Sequence, residues 1–99
     1  MARFDVYRRR GGGGYLLDCQ ADLLSDLTTR FVVPLLPQDA APKPAARLNP
    51  LLAVSGEPHV MVTQFAAAVL HSELGERVDN RSDDAEQIVG ALDLLITGV

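Results

Sequence analysis

A cluster of arginines near the N-terminus is the first feature of the sequence whose residue types could do chemistry. Three consecutive residues carry the charge: Arg8, Arg9 and Arg10. Guanidinium groups beside the glycine run Gly11–Gly14 could hold a nucleic-acid backbone, and the flanking Tyr7 and Tyr15 could stack on bases. The alternative is a solvated hairpin tip that contacts no ligand. The glycine run lacks the Gly-Lys-Ser/Thr signature and precedes a predicted strand rather than a helix, so it does not predict a phosphate-binding loop.

The other residues with catalytic or metal-binding potential do not form a recognisable constellation. His59 and His71 are twelve residues apart, with no cysteine or carboxylate at ligand spacing, so no metal site is predicted. We expect His59 on the exposed face of a strand and His71 in a turn. Cys19 alternates with Leu17 and is expected to be a buried, inert thiol. The serines lie in predicted turns or caps, without the elbow of an activated nucleophile. The sequence therefore predicts no catalytic residues, no metal, no cofactor and no enzymatic activity.

Composition describes one small globular domain over residues 1–99. Hydrophobic residues make up 47% of the chain, and the formal charge of −4 argues against a nucleic-acid footprint over the whole surface. A lone cysteine cannot form an internal disulfide, which is typical of a reducing compartment. The charged N-terminus does not resemble a signal peptide, and no apolar run approaches the length of a membrane span. We expect a cytoplasmic protein without membrane association.

The elements that would position these residues are mostly short strands. Strand candidates are residues 4–7, 15–19, 31–36, 51–54 and 59–62, and residues 65–70 are ambiguous between helix and strand. The first strand alternates apolar and charged residues, which predicts one buried face. Pro34 removes a ladder donor and predicts an edge strand or a bulge. Four prolines between residues 37 and 50 predict an extended surface loop.

The last element is predicted to be an amphipathic helix. Ser82 or Asp83 could cap it, and Asp83 has the capping-box spacing to Glu86. Apolar residues then recur at steps of three and four: Ala85, Ile88, Val89, Leu92, Leu95 and Ile96. Such a stripe packs on a sheet, and Gly98 would end the helix. We therefore expect an antiparallel α+β fold with a curled sheet, in which the helix and its tail bind a partner.

Six segments in order give the chain a resemblance to the CcdB family of bacterial toxins. They are Phe4-Asp5-Val6-Tyr7, Asp18-Cys19-Gln20-Ala21-Asp22-Leu23-Leu24, Val33-Pro34-Leu35, Leu48-Asn49-Pro50, Gly75-Glu76-Arg77-Val78 and Ala91-Leu92-Asp93-Leu94-Leu95-Ile96-Thr97-Gly98-Val99. Each segment alone is weakly specific, but together they run nearly from end to end of the chain.

The resemblance implies a mainly β fold: an SH3-like barrel of antiparallel strands with a small extra sheet and a C-terminal α-helix. It implies a homodimer that enters the central cavity of the DNA gyrase A subunit and traps the enzyme on cleaved DNA. A cognate CcdA-like antitoxin with a disordered tail would neutralise it. The cutting chemistry belongs to gyrase, so such a toxin needs no active site and meets DNA only through gyrase or the antitoxin.

The resemblance also implies which residues contact gyrase. Carried over by position, the set is Leu23, Leu24, Asp93, Ile96, Thr97, Gly98 and Val99. Two positions depart from what the resemblance implies. The family's well-studied members carry a Trp where this chain has Thr97, and a neutral Asn where it has Asp93. A Trp at such a site buries a large area and can stack on an arginine, and Thr supplies little of that.

Three alternatives stay open. A CcdB-like protein with Thr97 could keep the fold and the antitoxin and lose gyrase poisoning. Related MazF-type toxins share the barrel and cut single-stranded RNA, with phosphate contacts that the loop Arg8–Arg10 could supply here. A nucleic-acid binder without a toxin role would show affinity that falls with salt and with replacement of those arginines.

Overall fold

The computed structural model describes residues 2–99 of the chain. These residues contain seven strands and a C-terminal helix. The strands are β1 Asp5–Arg9, β2 Tyr15–Asp18, β3 Thr29–Pro37, β4 Leu51–Val54, β5 Glu57–Met61, β6 Ala67–Leu70 and β7 Leu74–Asn80. The helix, α1, is Ala85–Thr97, and short 3-10 turns cover Asp22–Leu24, Thr63–Phe65, His71–Glu73 and Ser82–Asp84. None of the helices in these residues has the length and apolar character that crossing a membrane requires.

The strands form one antiparallel sheet that curls into a half-barrel. Their order is β4-β5-β3-β2-β1-β7, and β6 pairs with β3 beside this path. The backbone N–H of Ser55, just after β4, donates to Asp79 Oδ2 in β7 at 3.0 Å, so the two ends of the sheet meet at this point. The expected fold class, a mainly antiparallel β-barrel-like sheet with a C-terminal helix, is confirmed.

Pro34 does not lie in an edge strand, so that prediction is wrong. It sits in the central strand β3 and pairs with Leu16 of β2 on one side. On the other side β6 pairs with β3 only up to Val32, and β5 pairs from Leu35 onward. The Pro34 carbonyl accepts from the N–H of Val62 on that side at 3.0 Å. The missing donor of the proline therefore falls where the neighbouring strand changes, so no ladder bond is lost.

Helix α1 covers one face of the sheet and completes the main core. Ile88, Ala91 and Leu92 of the helix are buried against strand residues such as Val6 and Leu17. Leu95, expected to pack with this stripe, is 42% exposed. The helix has by then passed the apolar cluster it covers, so its last turn lies at the surface.

The opposite face carries a second buried cluster, which corrects the picture of β1 as half-exposed. Tyr7, Leu16, Val32 and Leu74 form this cluster. Asp5 points the same way as Tyr7 and is also buried. Both faces of β1 are covered, because the core with α1 lies on one and the second cluster, next to the buried Asp5, lies on the other.

Strand β7 was not among the predicted strands, and the start of α1 differs from the prediction. Strand β7 has no clear alternation of apolar residues, and it pairs with β1 through two register shifts. A side chain at Gly75 would place Cβ 2.7 Å from the Arg8 carbonyl oxygen, so glycine permits this pairing. The predicted capping box is not formed: α1 begins at Ala85, no side chain caps it, and Asp84 instead pairs with Arg81 at 2.7 Å.

The other predicted segments agree closely with the structure. Residues 37–50 form no strand or helix beyond the last residue of β3, as the prolines predict. The ambiguous stretch 65–70 is mainly the strand β6. Gly98 ends α1 in the left-handed conformation at φ +78, and its N–H bonds the Leu94 carbonyl at 3.0 Å.

Candidate functional site

The last turn of α1 and the tail after it form an exposed surface. Ile96 is 73% exposed and Val99 is 76% exposed. The Thr97 hydroxyl donates to the Asp93 carbonyl oxygen at 2.7 Å, one helical turn back, so its hydrogen bond is made within the helix. Gly98 then turns the chain and leaves Val99 beyond the helix. All five C-terminal residues of the predicted contact set are thus accessible to a partner.

The other two residues of the predicted set, Leu23 and Leu24, lie in the 3-10 turn Asp22–Leu24. The turn is held at both ends: Asp22 Oδ1 accepts from the Arg3 N–H at 2.8 Å, and the Gln20 amide donates to the Leu24 carbonyl at 2.8 Å. Leu23 is 93% exposed as a result, and Leu24 is about half exposed. Within residues 2–99, no hydrogen bond joins this turn to the end of α1.

The three arginines lie at the end of β1 and the turn after it. Arg8 and Arg9 belong to the strand rather than to the loop, because β1 extends to Arg9. Arg8 Nε lies 3.4 Å from Glu76 Oε1, and the Arg10 Nε donates to the Leu74 carbonyl at 2.9 Å. The side chain of Arg9 makes no hydrogen bond or ion pair with any residue from 2 to 99. The side chains of Arg8 and Arg10 therefore contact β7, whereas that of Arg9 has no partner among residues 2–99.

Arg9 and Arg10 stand at the rim of a cleft of about 280 Å³. Its floor is apolar and includes Leu16, Val32 and Val69. Glu73 lies at the same cleft, but its carboxylate accepts the Leu70 N–H at 2.8 Å. An apolar floor below two guanidinium groups can receive an extended segment that carries apolar and acidic side chains.

A buried ion pair lies on the cleft's side of the sheet, and sequence reasoning did not identify it. Arg30 Nη2 is 2.6 Å from Asp18 Oδ2, and neither side chain is exposed. Burial raises the pKa of Asp18, while the hydrogen bonds from Arg30 and from the Gln20 N–H oppose that rise. Arg30 Nη1 is buried without a partner among the described residues. The sequence did offer one signal for this burial. Arg30 alternates with Val32 and Pro34 along β3, so it lies on the same face as these apolar residues.

Two expectations about aromatic and imidazole side chains are corrected. His59 is buried rather than exposed: its Nδ1–H donates to the Glu57 carbonyl at 2.8 Å, and its ring and that of Tyr15 meet edge to face with centroids 5.2 Å apart. Tyr7 cannot stack on a base, because its ring is buried and its hydroxyl donates to Asp5 at 3.2 Å. His71 lies in an exposed 3-10 turn as predicted.

Cys19 is the buried thiol that the sequence predicts. It is 4% exposed, and burial together with the nearby Asp18 carboxylate raises its pKa to about 12. A thiol with such a pKa is protonated at neutral pH and is a poor nucleophile. Across residues 2–99, no group of three or more histidine, cysteine or acidic side chains is arranged to hold a metal ion.

Comparison with known proteins identifies one family and a number of similar solved structures. The family described as CcdB protein matches residues 3–98. One of these structures is a mycobacterial endoribonuclease in complex with its cognate antitoxin, with a TM-score of 0.76 and 16% identity. The match covers 94% of this chain and 91% of that one, and at this identity it shows a shared fold alone. No curated protein matches the chain in sequence. Because the family match extends over nearly every residue, the chain belongs to the CcdB family, the toxin family that its sequence motifs resemble.

Proposed function

We propose that this protein is the toxin of a type II toxin–antitoxin system, and that it binds the DNA gyrase A subunit and traps the gyrase–DNA cleavage complex. It acts in the cytoplasm as a homodimer, without catalysis of its own. A cognate CcdA-like antitoxin neutralises it. The function rests on binding surfaces, and the family membership supplies the class of partner.

The exposed C-terminal turn is the observation that carries this proposal. Ile96 and Val99 present apolar side chains to solvent, and Gly98 fixes the direction of the tail. An exposed apolar residue costs free energy in a monomer and regains it when a partner covers it. Leu23 offers a second exposed apolar contact on the 3-10 turn. Both surfaces are the ones that the family resemblance assigns to gyrase.

The antitoxin partner is supported by the cleft beneath Arg9 and Arg10. Its apolar floor suits the anchor residues of a segment that folds on binding, and its rim suits acidic residues. The similar solved structure was captured with its own antitoxin, which supports a partner of this class for the present fold.

The test is inducible expression in a bacterial host, followed by a gyrase assay with purified protein. We expect growth arrest and accumulation of cleaved gyrase–DNA complexes, both prevented by co-expression of the reading frame that neighbours the toxin gene. Ile96→Lys should abolish both effects. Leu51→Lys is the matched control, since Leu51 is also an exposed apolar residue but lies in β4.

The outcomes separate the alternatives. Normal growth and absence of cleaved complexes would contradict gyrase poisoning, and a surviving interaction with the neighbouring gene product would then indicate an antitoxin-binding homologue. Cleavage of single-stranded RNA by micromolar protein would instead favour the endoribonuclease alternative.

A further inference from the structure

A second cleft lies on the other side of Arg9, between the β1–β2 loop and the start of β5. Its volume is about 330 Å³. The residues that matter for its chemistry are Arg8, Arg9, Gly12, Gly13, Tyr15 and His59. Neither the gyrase contacts nor the antitoxin cleft proposed above uses this combination.

The two arginines give the cleft a positive rim with little internal neutralisation. The Arg8 guanidinium lies 5.8 Å from the centre of the Tyr15 ring, which orients it at the cleft. Its ion pair with Glu76 joins two exposed side chains at 3.4 Å, and such pairs contribute little. Arg9 makes no ion pair within residues 2–99. Both charges are available to an anionic ligand.

The glycine loop contains two glycines that the fold itself does not require. Gly14 has φ +84, and a Cβ there would lie 2.8 Å from Leu36, so the fold itself requires glycine at this position. Gly12 and Gly13 have ordinary φ values, and a Cβ on either would meet nothing within 4 Å. Glycine at such positions lets a ligand approach the backbone closely and meet its N–H groups.

The far wall of the cleft is aromatic and fixed in place. The rings of Tyr15 and His59 meet edge to face, with centroids 5.2 Å apart and an interplanar angle of 73°. The hydrogen bond from His59 to the Glu57 carbonyl holds the imidazole. An aromatic ring beside guanidinium groups is the combination that binds a base and its adjoining phosphate in single-stranded nucleic acids.

We infer that this cleft binds single-stranded nucleic acid. A phosphate lies against the glycine backbone within reach of Arg8 and Arg9, and the adjoining base lies against Tyr15, whose ring the buried His59 supports. A duplex would not fit this mode, because its bases are stacked and paired and cannot reach the aromatic wall. The overall charge of −4 confines the footprint to a few nucleotides, since the rest of the surface does not attract phosphates.

The test is titration of the purified full-length chain into fluorescein-labelled 12-nucleotide single strands of RNA and DNA, followed by anisotropy at several salt concentrations. We expect binding that weakens as salt rises. Arg8→Ala/Arg9→Ala should weaken it about tenfold or more and reduce the salt slope, whereas Lys43→Ala, which removes one exposed charge from the 37–50 loop, should leave it unchanged. Tyr15→Leu should weaken binding about tenfold.

The glycines provide the sharpest variant. Gly12→Ala/Gly13→Ala meets no neighbour, so it should melt like the parent protein and yet bind the single strands several-fold more weakly. A poly-glutamate peptide and a duplex of the same length serve as competitors. Absence of binding at about 0.1 M salt, unchanged affinity in the arginine or glycine variant, or equal binding of the duplex or the peptide would overturn the inference. Gyrase poisoning should be unaffected by the glycine variant, so a failure here is distinct from a failure of the proposed function.

Discussion

Thr97 is the position at which the resemblance implies a Trp in the family. Its side chain is exposed and its hydroxyl is used within the helix, so it offers a partner little apolar area. A Trp at the same position would extend from the surface without a clash in the core, because the last turn of α1 is not packed.

Thr97→Trp is therefore expected to tighten binding to the gyrase A subunit by about 2 kcal/mol, or roughly thirtyfold. The measurement is calorimetric titration of the purified A subunit. Thr97→Ser keeps the hydrogen bond to the Asp93 carbonyl and serves as the control with unchanged affinity. No gain for Thr97→Trp would show that the C-terminal turn does not lie in the gyrase contact.

The buried pair of Asp18 and Arg30 is the other decisive feature among single residues. Both side chains are removed from water, so each depends on the other for compensation of its charge. Sequence patterns that search for apolar periodicity treat such residues as exposed.

Arg30→Met should lower the free energy of unfolding by about 3–5 kcal/mol, because it leaves the Asp18 carboxylate buried without its partner. Urea denaturation measures the effect. The double variant Asp18→Leu/Arg30→Met removes both charges and should recover much of the loss. Arg8→Ala, which breaks an exposed pair with Glu76, should change stability by less than about 1 kcal/mol. A double variant no more stable than the single one would contradict this account.

Among the elements, β7 is held to β1 by backbone pairing and by polar contacts around Asp5. Arg77 Nε and the Asn80 amide each donate to Asp5 Oδ1 at 2.8 Å. Burial raises the pKa of Asp5, but these bonds and one from the Ala2 N–H outweigh it and lower the pKa overall. The carboxylate thus adds polar contacts to the apolar ones that Leu74 and Val78 of β7 make with the two clusters.

The pH dependence of stability should reveal this role. Because the pKa of Asp5 is lower in the folded state, its stabilisation is present above the unfolded pKa near 3.8 and is lost as pH falls through the folded value. Asp5→Asn should be less stable than the parent at pH 7, and the difference should shrink as the pH is lowered toward 2. Urea midpoints across this range measure it. Asp18, with its raised pKa, acts in the opposite direction in both proteins, and because the Asp5 charge contributes to that rise, the difference between the two proteins includes this coupling. A difference independent of pH would contradict the assignment.

At the scale of the whole molecule, many large apolar side chains are exposed although the core is small. Those at least about half exposed are Leu23, Leu24, Leu27, Leu51, Phe65, Leu70, Ile96 and Val99. Burial of such side chains against a second copy would stabilise the fold by mass action. A chain with few aromatic residues and a modest interior has particular need of this contribution.

Homodimer formation therefore predicts a melting temperature that rises with protein concentration. Between about 2 µM and 200 µM, a hundredfold change adds about 2.7 kcal/mol to the stabilisation available from association. Light scattering should give twice the mass of one chain across the upper part of that range. A concentration-independent melting temperature and a single-chain mass would contradict the homodimer.

The sequence by itself determined the features that depend on neighbouring residues. The apolar stripe of α1, the end of that helix at Gly98, the proline-rich loop and the buried thiol of Cys19 follow from local spacing and backbone chemistry. The fold class and family followed from short motifs in a fixed order, most of which lie in the strands and in the closing helix. The exposure of Ile96 was expected only from the family resemblance, since the apolar stripe by itself placed this residue against the sheet.

Only the tertiary structure decided which polar residues are buried and where the strands end. A strand's second face is covered or exposed according to elements distant in sequence, so Asp5 and His59 were wrongly expected to lie at an exposed face. Pro34 is tolerated in the central strand because its two partner strands meet beside it, which no local pattern records. Strand β7 exists through its pairing with β1 and its contacts to Asp5, since long-range hydrogen bonds rather than its own periodicity stabilise it. The cleft at Arg9 likewise arises only when β5 brings His59 to Tyr15.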